Sequence, residues 1–448
     1  MDTVQKNTDN NVLGTVLNTD CATGTETARK VLRFADLFAG LGGFRIGVEQ
    51  ACDALSIPYE CVFSSEKKTS ARKAYQENFG EIPSGDITKI NEKDIPDIDM
   101  LLSGFPCQPF SQAGMRRGFS DTRGTLFFDI ERILKEKRPE FVLLENVEGL
   151  IRHDSGNTLD VIVKHLESLG YSVSYRVLDA SHYGIPQTRK RLYIVGIHNR
   201  NAFDFDELKE EQEIATFKDI AETGEPTIQT EYTKRLLKAF TREQLYGKAI
   251  TDKRAGDNAI HSWQFDAYGT TTVKQKEILE FLLANMRKRK YARELGIAWR
   301  DGMPLNLSQI EIGMNQTGLQ SDLDKLVDMG YLLKRHPYED GTLKERIDLP
   351  IGYKLITSRT AFEINRILDN DAATITITAT DMSHLGVIDG DGIRRITKRE
   401  ALRLLGFPES YTLDSVTMKE TYDLCGNSIC VPVVKKIAQQ MLNDNNWA

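Results

Sequence analysis

The sequence predicts an α/β protein whose sheet carries helices on both faces. Short apolar segments alternate with longer stretches of helical periodicity between residues 31 and 198, which is the pattern of βαβ units. A glycine-rich turn follows the first apolar segment, as in folds that bind ligands at the carboxyl edge of an open sheet. With 448 residues, 40% of them hydrophobic, the chain can form this core and a second domain.

Six segments are predicted to form strands, because each is short, apolar or alternating in polarity, and bounded by helical or turn-forming residues. They are Val31–Phe38, Cys61–Ser64, Asp99–Ser103, Phe141–Leu144, Tyr171–Leu178 and Arg191–Ile197. The intervening stretches have helical periodicity and predict four helices. These are a helix that ends near Leu55, then Ser70–Phe79, Thr125–Lys137 and Thr158–Leu169.

Composition divides the rest of the chain. Residues 1–30 are rich in Asn, Thr and Asp and poor in large apolar residues, so we expect a flexible tail. Residues 31–198 form the predicted α/β domain. The alternation ends after His198, and residues 199–392 are expected to form a second domain. Residues 393–448 contain two predicted helices, Lys398–Leu405 and Ser428–Leu442, which we expect to return to the first domain.

The overall charge and composition exclude several classes of protein. A net charge of −7 argues against a protein that coats nucleic acid non-specifically, although local clusters such as Arg287–Lys290 and Arg394–Arg399 are open to interpretation as a basic cleft or as solvated faces. The absence of a long apolar run and of a signal peptide predicts a cytoplasmic protein without a membrane partner. Six cysteines without a C-x-x-C pair predict neither a disulfide framework nor a metal site.

The glycine-rich turn, Asp36–Gly43, is the first candidate for a ligand site. Closely spaced glycines let a ligand approach the backbone at the start of a helix, although a tight packing turn has the same appearance. Glu66 follows the second strand, where a carboxylate can accept hydrogen bonds from ribose hydroxyls. Asp86 and Ile87 offer an acceptor beside an apolar side chain, although an Asp after Gly is often only a turn former.

A cysteine between two prolines is the second candidate. Cys107 lies in a loop that follows the third apolar strand, so Pro106 and Pro109 hold it at the ligand-binding edge of the sheet. The alternative interpretation is a buried structural thiol, the commonest role of an isolated cysteine. Glu145 also follows an apolar strand and is expected at the same edge, where it could hold a proton for a bound base.

The segment Gln187–Arg191 places two guanidinium groups on alternate residues at the start of a strand. Arg189 and Arg191 are therefore expected to point in the same direction, as donors for a carboxylate, phosphate or carbonyl.

These motifs, in this order and with this spacing, resemble the motif set of the cytosine-C5 DNA methyltransferases of bacterial restriction-modification systems. The resemblance covers roughly residues 31–198 and 393–442 and is specific because eight short motifs occur in the family's order. It implies the S-adenosylmethionine-dependent methyltransferase fold, a Rossmann-like mixed sheet with helices on both faces, with a smaller inserted DNA target-recognition domain. The motifs are Asp36–Gly43, Glu66, Gly85–Ile87, Pro106–Gln108, Arg123–Phe127, Glu145–Val147, Gln187–Arg191 and Gly426–Ser428.

The resemblance also implies roles for the candidate residues. Cys107 would attack C6 of a cytosine flipped out of the duplex, and Glu145 would bind N3 and the exocyclic amine. Arg191 would reach O2 of the base and fix Glu145, with Arg189 and Gln187 in support.

The implied cofactor is S-adenosylmethionine. Phe38 would lie on the adenine face, Glu66 on the ribose, and Asp86 with Ile87 at the adenine edge. Lys67 departs from the family, which often has an apolar or aromatic residue here, although its aliphatic stem could still pack on the adenine. The remaining contacts would come from Ala39, Gly40, Leu41, Gly42, Gly43, Pro106, Leu126, Asn427 and Ser428.

Two other functions fit the same motifs. One branch of the family acts on tRNA, but the long Asn199–Gly392 segment favours a DNA-reading module. A catalytically silent DNA-binding protein is disfavoured by the intact Cys107, Glu145 and Arg191. The expected partners are double-stranded DNA and, functionally, a cognate restriction endonuclease, and the enzyme is expected to be a monomer.

Within the second domain, about residues 272–350 are predicted to form a winged-helix-like DNA reader. Helical periodicity predicts helices over Val273–Arg289, Leu307–Ile312 and Leu319–Gly330, followed by a hairpin of Tyr331–Lys334 with Glu345–Leu349. A helical spacer that only supports the true reader is the alternative. The side chains expected to contact DNA are Gln316, Gln320 and Lys325.

Overall fold

A computed structural model of the protein describes residues 30–106, 126–211, 213–254, 256–338, 344–357, 362–445 and 447. Six strands in its first half form one sheet. The strands are β1 (Leu32–Leu37), β2 (Tyr59–Ser65), β3 (Met100–Gly104), β4 (Phe141–Val147), β5 (Tyr171–Asp179) and β6 (Lys190–His198). The helices that connect them are α1 (Gly43–Leu55), α2 (Thr69–Phe79), α3 (Leu126–Lys137) and α4 (Asn157–Ser168).

The strand order of this sheet is β2-β1-β3-β4-β6-β5. Strands β1 to β4 pair in parallel, whereas β6 runs antiparallel to both β4 and β5. Because β6 is reversed, Arg191 at its start lies opposite Val147 at the end of β4. The mixed α/β sheet confirms the predicted fold class, and all six predicted strands are present.

Helices cover both faces of the sheet because its central strands are apolar on both sides. Phe34 of β1 belongs to one buried hydrophobic cluster, whereas Ala35 and Leu37 belong to another on the opposite face. Helix α14 (Val431–Asp444), near the end of the chain, packs against α1 in the first cluster. This contact is close, because a Cβ on Gly47 would come within 2.6 Å of the Val434 side chain.

The chain after β6 contains a five-stranded and a three-stranded sheet. The elements up to the smaller sheet's last strand are α5 (Glu231–Ala239), α6 (Arg242–Leu245), β7 (Ala249–Ile250), β8 (Ala259–Ile260), α7 (Val273–Asn285), α8 (Arg289–Glu294), β9 (Leu305–Asn306), α9 (Leu307–Met314), α10 (Gln320–Met329), β10 (Leu332–Arg335) and β11 (Gly352–Leu355). The elements that follow are β12 (Arg366–Ile367), α11 (Ala379–Met382), β13 (Leu385–Asp389), β14 (Gly392–Arg394), α12 (Lys398–Arg403), α13 (Met418–Gly426) and α14. The strand order of the larger sheet is β14-β13-β12-β7-β8, and that of the smaller sheet is β10-β11-β9.

The chain leaves the five-stranded sheet after β8 and returns to it at β12. The intervening segment, residues 263–355, has its own hydrophobic cluster and is called the inserted unit below. Apart from the short helix α8, its order of helix, strand, two helices and hairpin is the one expected of a winged helix. Asn306 caps α9 by accepting a hydrogen bond from the Gln309 N–H, and Gly330 ends α10 in a left-handed conformation.

The predicted hairpin was wrong in its second strand. The partner of β10 is Gly352–Leu355 rather than Glu345–Leu349, with Leu332 opposite Leu355. The N–H of Leu349 donates instead to the carbonyl of Arg346 in a turn, and Pro350 has no N–H to donate to a strand. Likewise, the last helix begins at Val431 and not at Ser428, with Pro432 in its first turn.

Among the described residues, no helix is long and apolar enough to cross a membrane. That same part of the chain contains no group of three or more His, Cys, Asp or Glu side chains arranged to hold a metal ion.

Candidate active site

A pocket of about 650 Å³ opens at the carboxyl ends of β1, β3 and β4. The sequence motifs converge here because parallel strands end at the same edge of a sheet. Fourteen of the predicted site residues line it. They are Phe38, Gly40, Leu41, Glu66, Lys67, Asp86, Ile87, Pro106, Leu126, Glu145, Arg189, Arg191, Asn427 and Ser428.

The glycine-rich turn between β1 and α1 needs unusual backbone angles. Gly40 and Gly42 have φ values of 55° and 76°, a region that glycine adopts easily. A Cβ on Gly42 would also lie only 2.5 Å from the Phe79 ring. Phe38 has a φ of 56° without being glycine, and this conformation is accompanied by a side chain that lines the pocket. Ala39, Gly42 and Gly43 shape the turn but do not line the pocket.

Glu66 holds this turn against the end of β2. One carboxylate oxygen accepts a hydrogen bond from the Gly40 N–H at 2.9 Å, and the other accepts one from the Lys68 N–H at 2.7 Å. Across the pocket, the Lys67 ammonium lies 2.9 Å from Asp86. Hydrogen bonds from Lys67 and Thr88 lower the pKa of Asp86, so this carboxyl group is ionised at neutral pH.

Glu145 and Arg191 form an ion pair at the end of β4. The guanidinium Nε lies 3.1 Å from a carboxylate oxygen, and each side chain is 15% exposed. Burial raises the pKa of Glu145, against the opposing charges of Arg191 and Arg189. Burial also lowers the pKa of Arg191, and the like charge of Arg189 acts in the same direction. A carboxyl group in this setting can hold or share a proton with a bound base.

Comparison with known proteins identifies the family to which this chain belongs. The family model described as "C-5 cytosine-specific DNA methylase" matches residues 32–443. The chain belongs to this family. It is a DNA (cytosine-5-)-methyltransferase of the Type II restriction-modification kind, which confirms the resemblance drawn from the motifs.

Relatives match the methyltransferase over nearly its full length. The Type II methyltransferase M.NlaIV of Neisseria lactamica is 46% identical over 423 residues, covering 92% of this chain and 99% of that protein. M.BanI of Aneurinibacillus aneurinilyticus is 40% identical over 435 residues, covering 92% and 96%. The crystal structure of S. pombe Dnmt2 methyltransferase shares the fold, with a TM-score of 0.52, 19% identity and coverage of 93% and 100%.

Arg189 lines the methyltransferase pocket and also fixes its far wall. Its guanidinium donates to the carbonyl oxygens of Ile377, Gly426 and Ser428 at 3.0, 3.2 and 2.6 Å. Gln187 does not line the pocket. It is 1% exposed, donates to the Leu404 carbonyl and accepts from the Ile377 N–H, so it ties β6 to segments far along the chain.

Several lining residues received no role from the sequence. Asn146 is buried and donates to the Phe105 carbonyl at 2.9 Å, which joins the ends of β3 and β4. Lys68 pairs with Asp423, so the C-terminal wall of the pocket is connected to the end of β2. The sequence could have indicated a role for Asn146, because this residue follows Glu145 at the end of a strand. It could not have indicated the Lys68–Asp423 contact, because those two residues are far apart in the chain. Cys107 and the motif residues Arg123–Thr125 lie outside the described residues.

The residues predicted to contact DNA lie on or near α10. Lys325 is exposed and Gln316 is half-buried. Gln320 is exposed but already bonded, because its amide donates to Asp324 at 2.8 Å and to the Tyr353 hydroxyl at 2.6 Å. Helix α10 carries three aspartates and one lysine, so its own charge is −2. These observations describe the surroundings of the three residues, and their contact with DNA stays a prediction.

Proposed function

We propose that the enzyme transfers a methyl group from S-adenosylmethionine to C5 of a cytosine flipped out of a specific duplex sequence, through a covalent bond between Cys107 and C6. The observation that carries this proposal is the largely buried Glu145–Arg191 pair at the strand-end pocket. In the sequence, Cys107 comes directly after Pro106, which lines the same pocket.

The donor groups in the pocket suit S-adenosylmethionine. Glu66 and Asp86 supply carboxylates for hydroxyl and amino groups, and Phe38, Ile87 and Leu126 supply apolar surface for an adenine ring. The Lys67–Asp86 pair leaves the aliphatic stem of Lys67 beside the same edge. When bound, the cofactor supplies an electrophilic methyl group on a sulfonium. We assign Ala39 to Gly43 to the turn that receives its methionine end.

The cytosine requires activation because its C5 is a weak nucleophile while the ring is aromatic. We propose that the Cys107 thiolate adds to C6, which makes C5 an enamine-like carbon able to accept the methyl group. The Glu145 carboxyl, whose pKa is raised, donates to N3 and accepts from the exocyclic amine, which stabilises the added electron density. Arg191 holds Glu145 in place and donates to O2. Loss of the C5 proton and departure of Cys107 then restore the aromatic ring.

We assign residues 31–198 and 393–448 to catalysis and residues 199–392 to target recognition, with residues 1–30 as a tail. The separate hydrophobic cluster of the inserted unit supports a recognition module that folds around its own core. We further propose that base edges are read by Gln320 and Lys325 of α10 and by Gln316 in the turn before this helix. The enzyme would act on double-stranded DNA as a cytoplasmic monomer, protecting sites that a cognate restriction endonuclease cleaves.

Transfer of tritium from methyl-labelled S-adenosylmethionine by the purified full chain tests this function. We expect label in duplex DNA and none in tRNA, and bisulfite sequencing of the product should place each methylated cytosine in one sequence context. Label in tRNA alone, or in neither nucleic acid, would overturn the proposal.

A further inference from the structure

Six cations surround two adjoining hollows on the inserted unit and the loop after β7. The hollows measure about 290 and 170 Å³ and share Lys354, Asp301 and Gly302 on their walls. We call this surface the basic face. Its cations are Lys253, Arg254, Arg287, Arg300, Arg335 and Lys354.

Lys354 lies at the centre of the basic face and lacks an acidic partner. It belongs to β11, opposite Leu333, and among the described residues no carboxylate lies within 4.0 Å of its ammonium. Burial and the like charges of Arg335 and Arg300 lower its pKa. Gly302, at φ +67°, lies beside the ammonium, and a Cβ there would be at van der Waals distance from Nζ, 3.6 Å away.

Three acidic side chains beside these cations already form ion pairs or hydrogen bonds. Asp301 lies 2.9 Å from Arg287, and Glu345 lies 3.1 Å from Arg335. Asp252 is buried and accepts from the Ser262 hydroxyl at 2.7 Å. Counted over the described residues alone, six cations and these three carboxylates give a net charge of +3, so this surface attracts anions although the whole chain is acidic.

Two of the cations are held in place by an aromatic ring. The guanidinium of Arg300 lies 4.8 Å from the centre of the Tyr338 ring, and that of Arg335 lies 4.4 Å from it. Such contacts restrict where the two guanidinium groups lie, and both groups carry their positive charge beside Lys354.

The side of the unit that carries α10 differs in charge. Lys334 precedes Arg335 in β10, yet its ammonium lies 2.5 Å from Asp324 of α10. Lys274 of α7 lies 3.5 Å from Asp322 of the same helix. Lys274 and Lys334 are therefore paired with aspartates of α10, whereas Lys354 has no such pair in the described part of the chain.

We propose that the basic face binds the phosphate backbone of the duplex DNA substrate, with Lys354 and Lys253 among the phosphate contacts. The proposal rests on duplex DNA being the substrate, as argued above. It separates two tasks within the inserted unit, because phosphate contacts supply affinity and position whereas base contacts supply sequence. The basic face performs the first, whichever residues perform the second.

The salt dependence of binding to random-sequence duplex DNA tests the proposal, because each phosphate contact contributes about 0.9 to the slope of log affinity against log salt. We expect the full-chain double variant Lys253→Gln/Lys354→Gln to lose about 2 from this slope and to bind more weakly at low salt. The matched control, Lys274→Gln/Lys334→Gln, removes the same charge from the other side and should keep the wild-type slope.

The variant Lys253→Arg/Lys354→Arg retains both charges and should also keep the slope, while thermal melting of all three variants shows that each is folded. A wild-type slope in Lys253→Gln/Lys354→Gln, or an equal loss in the control, would overturn the proposal. Failure here is distinguishable from failure of the methylation function. An enzyme that methylates DNA but shows no slope change refutes only the basic face, whereas a slope change without methyl transfer refutes only the catalytic proposal.

Discussion

The strand-end pocket and the inserted unit handle charge in opposite ways. In the pocket, Glu145 and Arg191 are largely buried and neutralise each other, and Arg189 is surrounded by backbone carbonyls. On the inserted unit, Lys354 lies among the like charges of Arg335 and Arg300, and no carboxylate of the described residues forms an ion pair with it. A largely buried charge needs a partner to offset its lost hydration, whereas a surface that attracts phosphates works best without one. The two regions should therefore respond differently to substitution.

The largest effect should come from Cys107→Ser. A serine hydroxyl has a far higher pKa than a thiol and cannot supply the anion that adds to C6, so methyl transfer should fall by several orders of magnitude. Binding of duplex DNA should stay close to wild type, as measured by fluorescence anisotropy. Duplex with 5-fluorocytosine at the target should trap the wild-type enzyme covalently and leave the variant free. Substantial turnover by the variant would refute the covalent mechanism.

The second effect concerns the proton on Glu145. Glu145→Gln keeps the shape of the side chain but cannot share the N3 proton, so methyl transfer under single-turnover conditions should slow about 10²- to 10⁴-fold. DNA binding should change little. Glu148→Gln, which neutralises an exposed carboxylate just after the same strand, is the control and should retain activity. An unchanged rate in Glu145→Gln would remove this residue from the mechanism.

The third effect is on cofactor binding. Glu66→Ala removes the acceptor for the Gly40 N–H as well as the proposed ribose contact, so S-adenosylhomocysteine should bind about 10-fold or more weakly in calorimetry. Glu60→Ala removes an exposed carboxylate from β2, the strand that precedes Glu66, and should leave the affinity unchanged. Equal affinity in Glu66→Ala would place the ribose elsewhere.

The success of sequence reasoning also differed between the two regions. Glu145 and Glu66 were predictable because strand ends meet at one edge of a sheet. The partners of Arg189 were not, since Ile377 and Ser428 come from segments far along the chain and no local pattern specifies that pairing. In the inserted unit, helical periodicity and caps located α7, α9 and α10, whereas the short helix α8 was not predicted. The second hairpin strand was misplaced because alternation in Glu345–Leu349 resembles a strand, while its pairing depends on contacts with β9 and β10.

The fourth effect should appear in specificity. If α10 reads bases, replacing Gln316, Gln320 and Lys325 with Ala should relax the methylated context in bisulfite sequencing while leaving S-adenosylhomocysteine affinity unchanged. The basic-face variant Lys253→Gln/Lys354→Gln should do the reverse, weakening DNA binding while preserving the context. Methylation of the same sequence with the same efficiency by the triple variant would show that α10 is a spacer.

The last prediction concerns stability instead of activity, and it tests a buried carboxyl group in the catalytic half. Asp36 of β1 is fully buried, and among the described residues neither of its carboxyl oxygens has a hydrogen-bond partner. Burial raises its pKa from 3.8 to about 8, against the opposing charge of Arg45. The folded state therefore holds this proton more tightly than the unfolded state does.

The sign of the resulting pH dependence follows from that difference. The stability that Asp36 contributes is fully present below its ordinary pKa and is lost as pH rises through the folded value, by up to about 1.4 kcal/mol per pH unit. Asp36→Asn cannot ionise, so its melting temperature relative to wild type should rise steadily between pH 5 and about 8 and then level off. Asp53→Asn, at an exposed position of α1, should keep the wild-type slope. A melting difference between Asp36→Asn and wild type that does not change with pH would mean that Asp36 is ionised in the folded protein and has a counter-charge.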